Sequence, residues 1–114
     1  MRIDIERAML VTFLFRDMMS DRDFDIIIDY TIPYKLFTAT RTNKLIAKAI
    51  FNLQEKDEPF DELTVLDYVS KFEKINEIEW IEVLSTTRIT LNTMLGYVKI
   101  LERMENEDYI RRNR

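Results

Sequence analysis

KDEPFDELTVLDYV, residues 56–69, joins a charged, proline-bearing turn directly to an apolar run, and its spacing predicts a helix start. Asp61 stands where an N-cap acceptor belongs, and Pro59 stiffens the approach to it. Phe60, just before the cap, and Val65, the fourth helical residue, hold the positions of a hydrophobic staple. Leu63, Leu66, Val69 and Phe72 are expected to form the buried face. The same device recurs downstream. Asn76 is placed to cap, Glu79 follows three residues on as in a capping box, and Ile75 and Trp80 form the staple pair of a helix expected to end near Leu84.

Working outward, residues 3–19 carry Ile5, Met9, Phe13 and Leu10, Leu14 at helical spacing. Asp21 is expected to cap a short helix bearing Phe24, Ile27 and Ile28. Pro33 should end it, since a proline forces its predecessor out of the helical region. Residues 34–42, rich in Thr, read as an irregular connection with a single turn. Leu45, Ile46, Ala49, Ile50 and Leu53 mark an amphipathic helix over 43–56. STTRITLN then reads as a polar link, with Asn92 or Thr93 as the cap of a last helix. That helix carries Met94, Tyr97, Val98, Leu101 and Met104 on one side. Past Met104 only Tyr109 and Ile110 continue the stripe. One all-α domain of five to seven helices is expected, with a final helix that outruns its apolar face.

Composition narrows the possibilities. The 114 residues make one domain, and a single Gly with two Pro argues against a sandwich or barrel, which needs many tight turns. A net charge of −4 leaves no overall basic footprint for nucleic acid. Without Cys there is neither a disulfide framework nor a thiolate zinc site. The longest apolar run is too short to span a bilayer, and Asp4 and Glu6 break the layout of a secretion signal. The expectation is a soluble domain working in the cytoplasm.

The motifs for chemistry are mostly missing. Without His, the commonest general base and metal ligand is absent. One glycine cannot make a phosphate-binding G-x-x-x-x-G-K-[ST] loop; Gly96 itself reads as a site of close helix packing. Asp21-Arg22-Asp23-Phe24-Asp25 has the spacing of a calcium loop's start, but Ile26 stands where the turn needs Gly and Ile32 where a bidentate Glu belongs. It reads as a solvated helix cap. Asp57/Glu58 and Asp61/Glu62 lack an apolar pocket that would raise a carboxyl pKa and read as turn and helix-start residues. Arg111, Arg112 and Arg114 follow Glu105, Glu107 and Asp108, and they suit a helix C-terminus better than a phosphate site. No catalytic, cofactor-binding or metal-ligating residue is assigned, and the chain reads as a binding or assembly module.

Three segments resemble the N-terminal domain of the bacterial replicative DNA helicase, the DnaB type. IERAMLVTFLF (5–15) resembles that domain's opening helix, where a Glu precedes a short apolar ladder. LIAKAIFNLQEKDEPFD (45–61) resembles its Leu-Ile, Ala-Ile and Leu helix followed by a turn reading roughly Gly-Glu-Pro-Ile-Asp. Glu58, Pro59 and Asp61 match there, Phe60 replaces the Ile and Asp57 the Gly. LSTTRITLNTMLGYVKILER (84–103) resembles the family's link, its Asn-x-x-x-Tyr helix start and the helix that follows. Departures are Phe37-Thr38-Ala39-Thr40-Arg41-Thr42-Asn43, where the family commonly has Phe-Tyr-x-Pro-x-His, and Arg88 and Ile89, where its link has Pro or Ser. They suggest a divergent branch of phage or plasmid origin.

The resemblance implies a compact helical head over about 1–90 and, over about 91–114, the first helix of a protruding, truncated hairpin arm. It also implies a fragment cut before the linker and the ATP-dependent motor. Such domains pair through their hairpins into a collar of three dimers, where the primase docks within the primosome; the domain itself hydrolyses nothing. The partners implied are a second copy, as a dimer or within a hexamer, primase, and a helicase loader. Tyr97, Ile100, Leu101, Met104 and Ile110 are expected to form the self-association surface, because their apolar pattern continues past what the head can cover. Two alternatives stand beside this reading. One is the helicase-binding C-terminal domain of a bacterial primase, which resembles the same head and hairpin. The other is a small phage or plasmid regulator that contacts DNA, which the charge of −4 disfavours.

Overall fold

In a computed structural model, which describes residues 1–113 without the side chain of Ile28, the chain folds into six α-helices, with no strand among the described residues. They are α1 (Arg2–Leu14), α2 (Asp21–Asp29), α3 (Arg41–Glu55), α4 (Glu62–Ser70), α5 (Glu77–Leu84) and α6 (Leu91–Arg112), with short 3-10 turns at Arg16–Met18 and Tyr34–Leu36. The all-α architecture follows the sequence expectation. Arg114 and the Ile28 side chain lie outside the described residues.

Every helix after the first begins on a side-chain acceptor. Ser20, Thr40, Asp61, Asn76 and Thr90 each accept a backbone N–H of their helix's first turn, satisfying donors that have no partner within the helix. Two caps differ from expectation. Ser20 rather than Asp21 caps α2, which moves Asp21 and Asp23 into a first turn that favours negative charge. Thr90 rather than Asn92 or Thr93 caps α6, because Leu91 packs into the core and must already be helical.

At α4 the expected cap and staple both form. The Asp61 carboxylate accepts from the N–H groups of Leu63 and Thr64, and the Thr64 hydroxyl accepts from the Asp61 N–H. Phe60 and Val65 are both buried. The buried face, however, is Val65 and Val69, whereas Leu63 and Phe72 are 75% and 73% exposed. The staple turns Val65 and its i+4 partner inward, so Leu63, two residues away, points outward. Phe72 falls beyond the helix end at Ser70.

The core surrounds α1, which packs against α3, α5 and α6. Ile5, Glu6 and all of residues 8–14 are buried, so α1 is enclosed on every side rather than along one stripe. Phe60 reaches this core from the turn between α3 and α4. Its ring lies 6.5 Å from that of Phe13, and the Arg16 guanidinium covers it at 3.6 Å. Gln54 ties the segment after α2 down, donating to the Tyr30 carbonyl and accepting from the Ile32 N–H. Gly96 does not mediate close packing: it is exposed, and a Cβ there would meet nothing within 4 Å.

Candidate functional site

The last helix was expected to carry function, and its two halves are held differently. Leu91, Met94, Val98 and Leu101 are buried in the core. Beyond them the apolar contacts thin out, and a charged cluster takes over. Arg2, at the start of α1, sends Nη2 to Glu105 at 2.9 Å and to the Leu36 carbonyl at 3.1 Å. Its Nη1 reaches Asp108 at 3.4 Å, and its Nε donates to Glu6 at 3.1 Å.

Glu6 is fully buried. Its carboxylate accepts from the N–H groups of Thr38 at 3.2 Å and Ala39 at 3.0 Å and from the Asn43 side-chain amide at 3.2 Å. A buried carboxylate persists only with this kind of pairing. Arg2 and Glu6 thus join α1, the 37–40 segment, α3 and the outer half of α6. Spacing alone did not single them out as a pair. The available signal was a carboxylate set among Ile5, Ala8 and Met9, where a charge belongs only if it is partnered.

Of the expected interface residues, Leu101 is 0% exposed. It is a core residue and offers no surface to a partner, because the stripe of Met94, Val98 and Leu101 points at α1. Tyr97, Ile100 and Met104 are half-buried along the edge of the core. They share one face by their three- and four-residue spacing. Ile110 is 51% exposed beside Tyr109 at 61%. At 3.6 residues per turn it points roughly 120° away from Met104. The helix therefore presents a half-buried strip and, separately, an open apolar tip. The same periodicity failed to signal exposed Ile78 and Ile81 on α5.

The acidic candidates are taken up by structure. Asp21 and Asp23 lie in the first turn of α2, and Asp61 caps α4. Asp57 sits in the exposed turn with φ 57°, left-handed backbone that Asp tolerates better than most residues. Glu79 accepts from the Thr42 hydroxyl, and Glu82 pairs with Arg7 at 2.7 Å. Hydrogen bonding from Arg41 holds the Glu73 carboxyl below its ordinary pKa. Burial pulls the Arg16 guanidinium below its own ordinary value. Among the described residues, no group of three or more His, Cys, Asp or Glu side chains converges as a metal site would require. The arrangement can bind through apolar surface and charge.

A family model described as the DnaB-like helicase N terminal domain matches residues 1–103, taking in α1 to α5 and the inner half of α6. Comparison with curated proteins and with solved structures gives no match.

Proposed function

With residues 1–103 matched, the chain belongs to the family of DnaB-like helicase N-terminal domains, and on that premise we propose that it is a replicative helicase's non-catalytic assembly and docking domain. Residues up to about 90 act as the head, and α6 (Leu91–Arg112) acts as the first helix of an arm. The arm pairs with that of a second copy, and paired domains build the collar of a hexamer on which primase, and a helicase loader, dock in the cytoplasm. One observation carries the reading: α6 continues beyond its last buried residue, Leu101, and presents Tyr109 and Ile110 to solvent. Tyr97, Ile100, Met104 and Ile110 are the contact residues on this proposal, with Leu101 holding the helix from inside. No described helix is long and apolar enough to cross a membrane.

Capture experiments test the docking role. Immobilised chain is expected to retain the C-terminal helicase-binding region of a primase. Retention of a replicative helicase, with no retention of primase, would put this chain on the primase side and overturn the proposal.

A further inference from the structure

A second surface lies on α3 and α4 and uses none of the residues proposed for self-association. Beside the Tyr34–Leu36 turn is a hollow of about 400 Å³ with Tyr34, Phe37 and Leu45 in its wall. Leu45 and Lys48 also border a second hollow of about 300 Å³, which continues past Ala49 to Tyr68, Val69 and the exposed Phe72. Together they form an apolar groove, of the size that takes one or two large side chains.

The rim of this groove is cationic, in a chain whose net charge is −4. Lys35 comes from the 3-10 turn, and Arg41, Lys44 and Lys48 lie on one face of α3 by their spacing. Arg41 is committed to Glu73. Among the described residues, Lys35, Lys44 and Lys48 have no carboxylate at ion-pairing distance, although the chain has 21 acidic residues against 17 basic ones. Three uncompensated cations at the mouth of an apolar groove complement a ligand that is acidic outside and apolar within.

We propose that this groove receives an acidic peptide segment of a partner protein. One or two large apolar side chains of that segment insert along the half-buried Tyr34 and Leu45 and the exposed Phe72, and its carboxylates face Lys35, Lys44 and Lys48. The surface favours a peptide over single-stranded nucleic acid. A single strand needs a succession of open ring faces, whereas Lys48 covers the Tyr34 ring at 4.2 Å, Phe37 is buried, and of the groove's rings Phe72 alone is exposed.

The test is fluorescence anisotropy with a labelled peptide of Asp-Asp-Phe-Leu repeats. A peptide with Lys in place of Asp and an oligo-dT strand serve as competing probes. The acidic peptide should bind and weaken as salt is raised, while the other two should not bind. The double variant Lys44→Glu/Lys48→Glu should lower the affinity about tenfold and keep the parent's helical circular dichroism, since both residues are exposed. The equally charged control Lys99→Glu/Arg103→Glu, on exposed positions of α6, should leave it within twofold. Three results would overturn the assignment: no binding of the acidic peptide, an equal loss in the control variant, or tighter binding of oligo-dT.

Discussion

Over residues 91–101, α6 is held by apolar burial, with Leu91, Met94, Val98 and Leu101 closed into the core; over residues 102–112 its main tie is Arg2, and Tyr109 and Ile110 stand in solvent. The two kinds of restraint differ in strength. Burying a leucine side chain contributes about 2 kcal/mol before any cavity term. An ion pair to a carboxylate as exposed as Glu105 or Asp108 contributes about 0–1 kcal/mol. One continuous helix thus has an inner part committed to the fold and an outer part that costs little to leave uncovered. This division lets a helix serve its own domain and a partner at once.

The comparison breaks most sharply at Leu101. Leu101→Ala should cost about 3 kcal/mol by leaving a cavity beside α1, read as a lower urea midpoint at unchanged slope. A loss below about 1 kcal/mol would mean that the inner half is not a core element.

Arg2→Ala comes next, at about 1–2 kcal/mol. It releases Glu105 and Asp108 and takes from the buried Glu6 carboxylate its charged partner, leaving the three N–H donors in place. Amide exchange should accelerate over residues 104–112 and stay slow over 94–101. Uniform acceleration along the helix would erase the distinction between its halves.

The smallest effect is at Gly96, on the exposed side of the inner half. Gly96→Ala should stabilise by about 0.5–1 kcal/mol, because a helical glycine gains from a Cβ that meets nothing. Destabilisation would show that this side is already packed against something.

What the sequence disclosed depended on how local each cause was. The α4 start was legible because Asp61, Phe60 and Val65 act within a single turn. The Asn76 cap and the Ile75–Trp80 pair were legible for the same reason. The left-handed backbone at Asp57, with φ of 57°, was not legible, because Asp adopts it far less often than Gly. The outward placement of Leu63 and Phe72 was not legible, because a nine-residue helix offers two plausible apolar faces and α3 chooses between them. Nor were the caps of α2 and α6 fixed to the residue, since Ser20 and Thr90 are as able to cap as their neighbours. For the candidate site, periodicity identifies the apolar side of α6 but not which members face inward, so it does not separate the buried Leu101 from the half-buried Tyr97, Ile100 and Met104. The Arg2–Glu6 cluster depends on segments more than 30 residues apart meeting in space.

Sedimentation equilibrium of the parent chain beside Tyr109→Ser/Ile110→Ser is the most direct test of the division of labour along α6. We expect the parent to shift from monomer toward dimer as concentration rises, and the double variant to stay monomeric with its stability within about 0.5 kcal/mol of the parent. A parent that stays monomeric at every concentration, or a variant that associates as the parent does, would contradict an outer half of α6 built for a second copy.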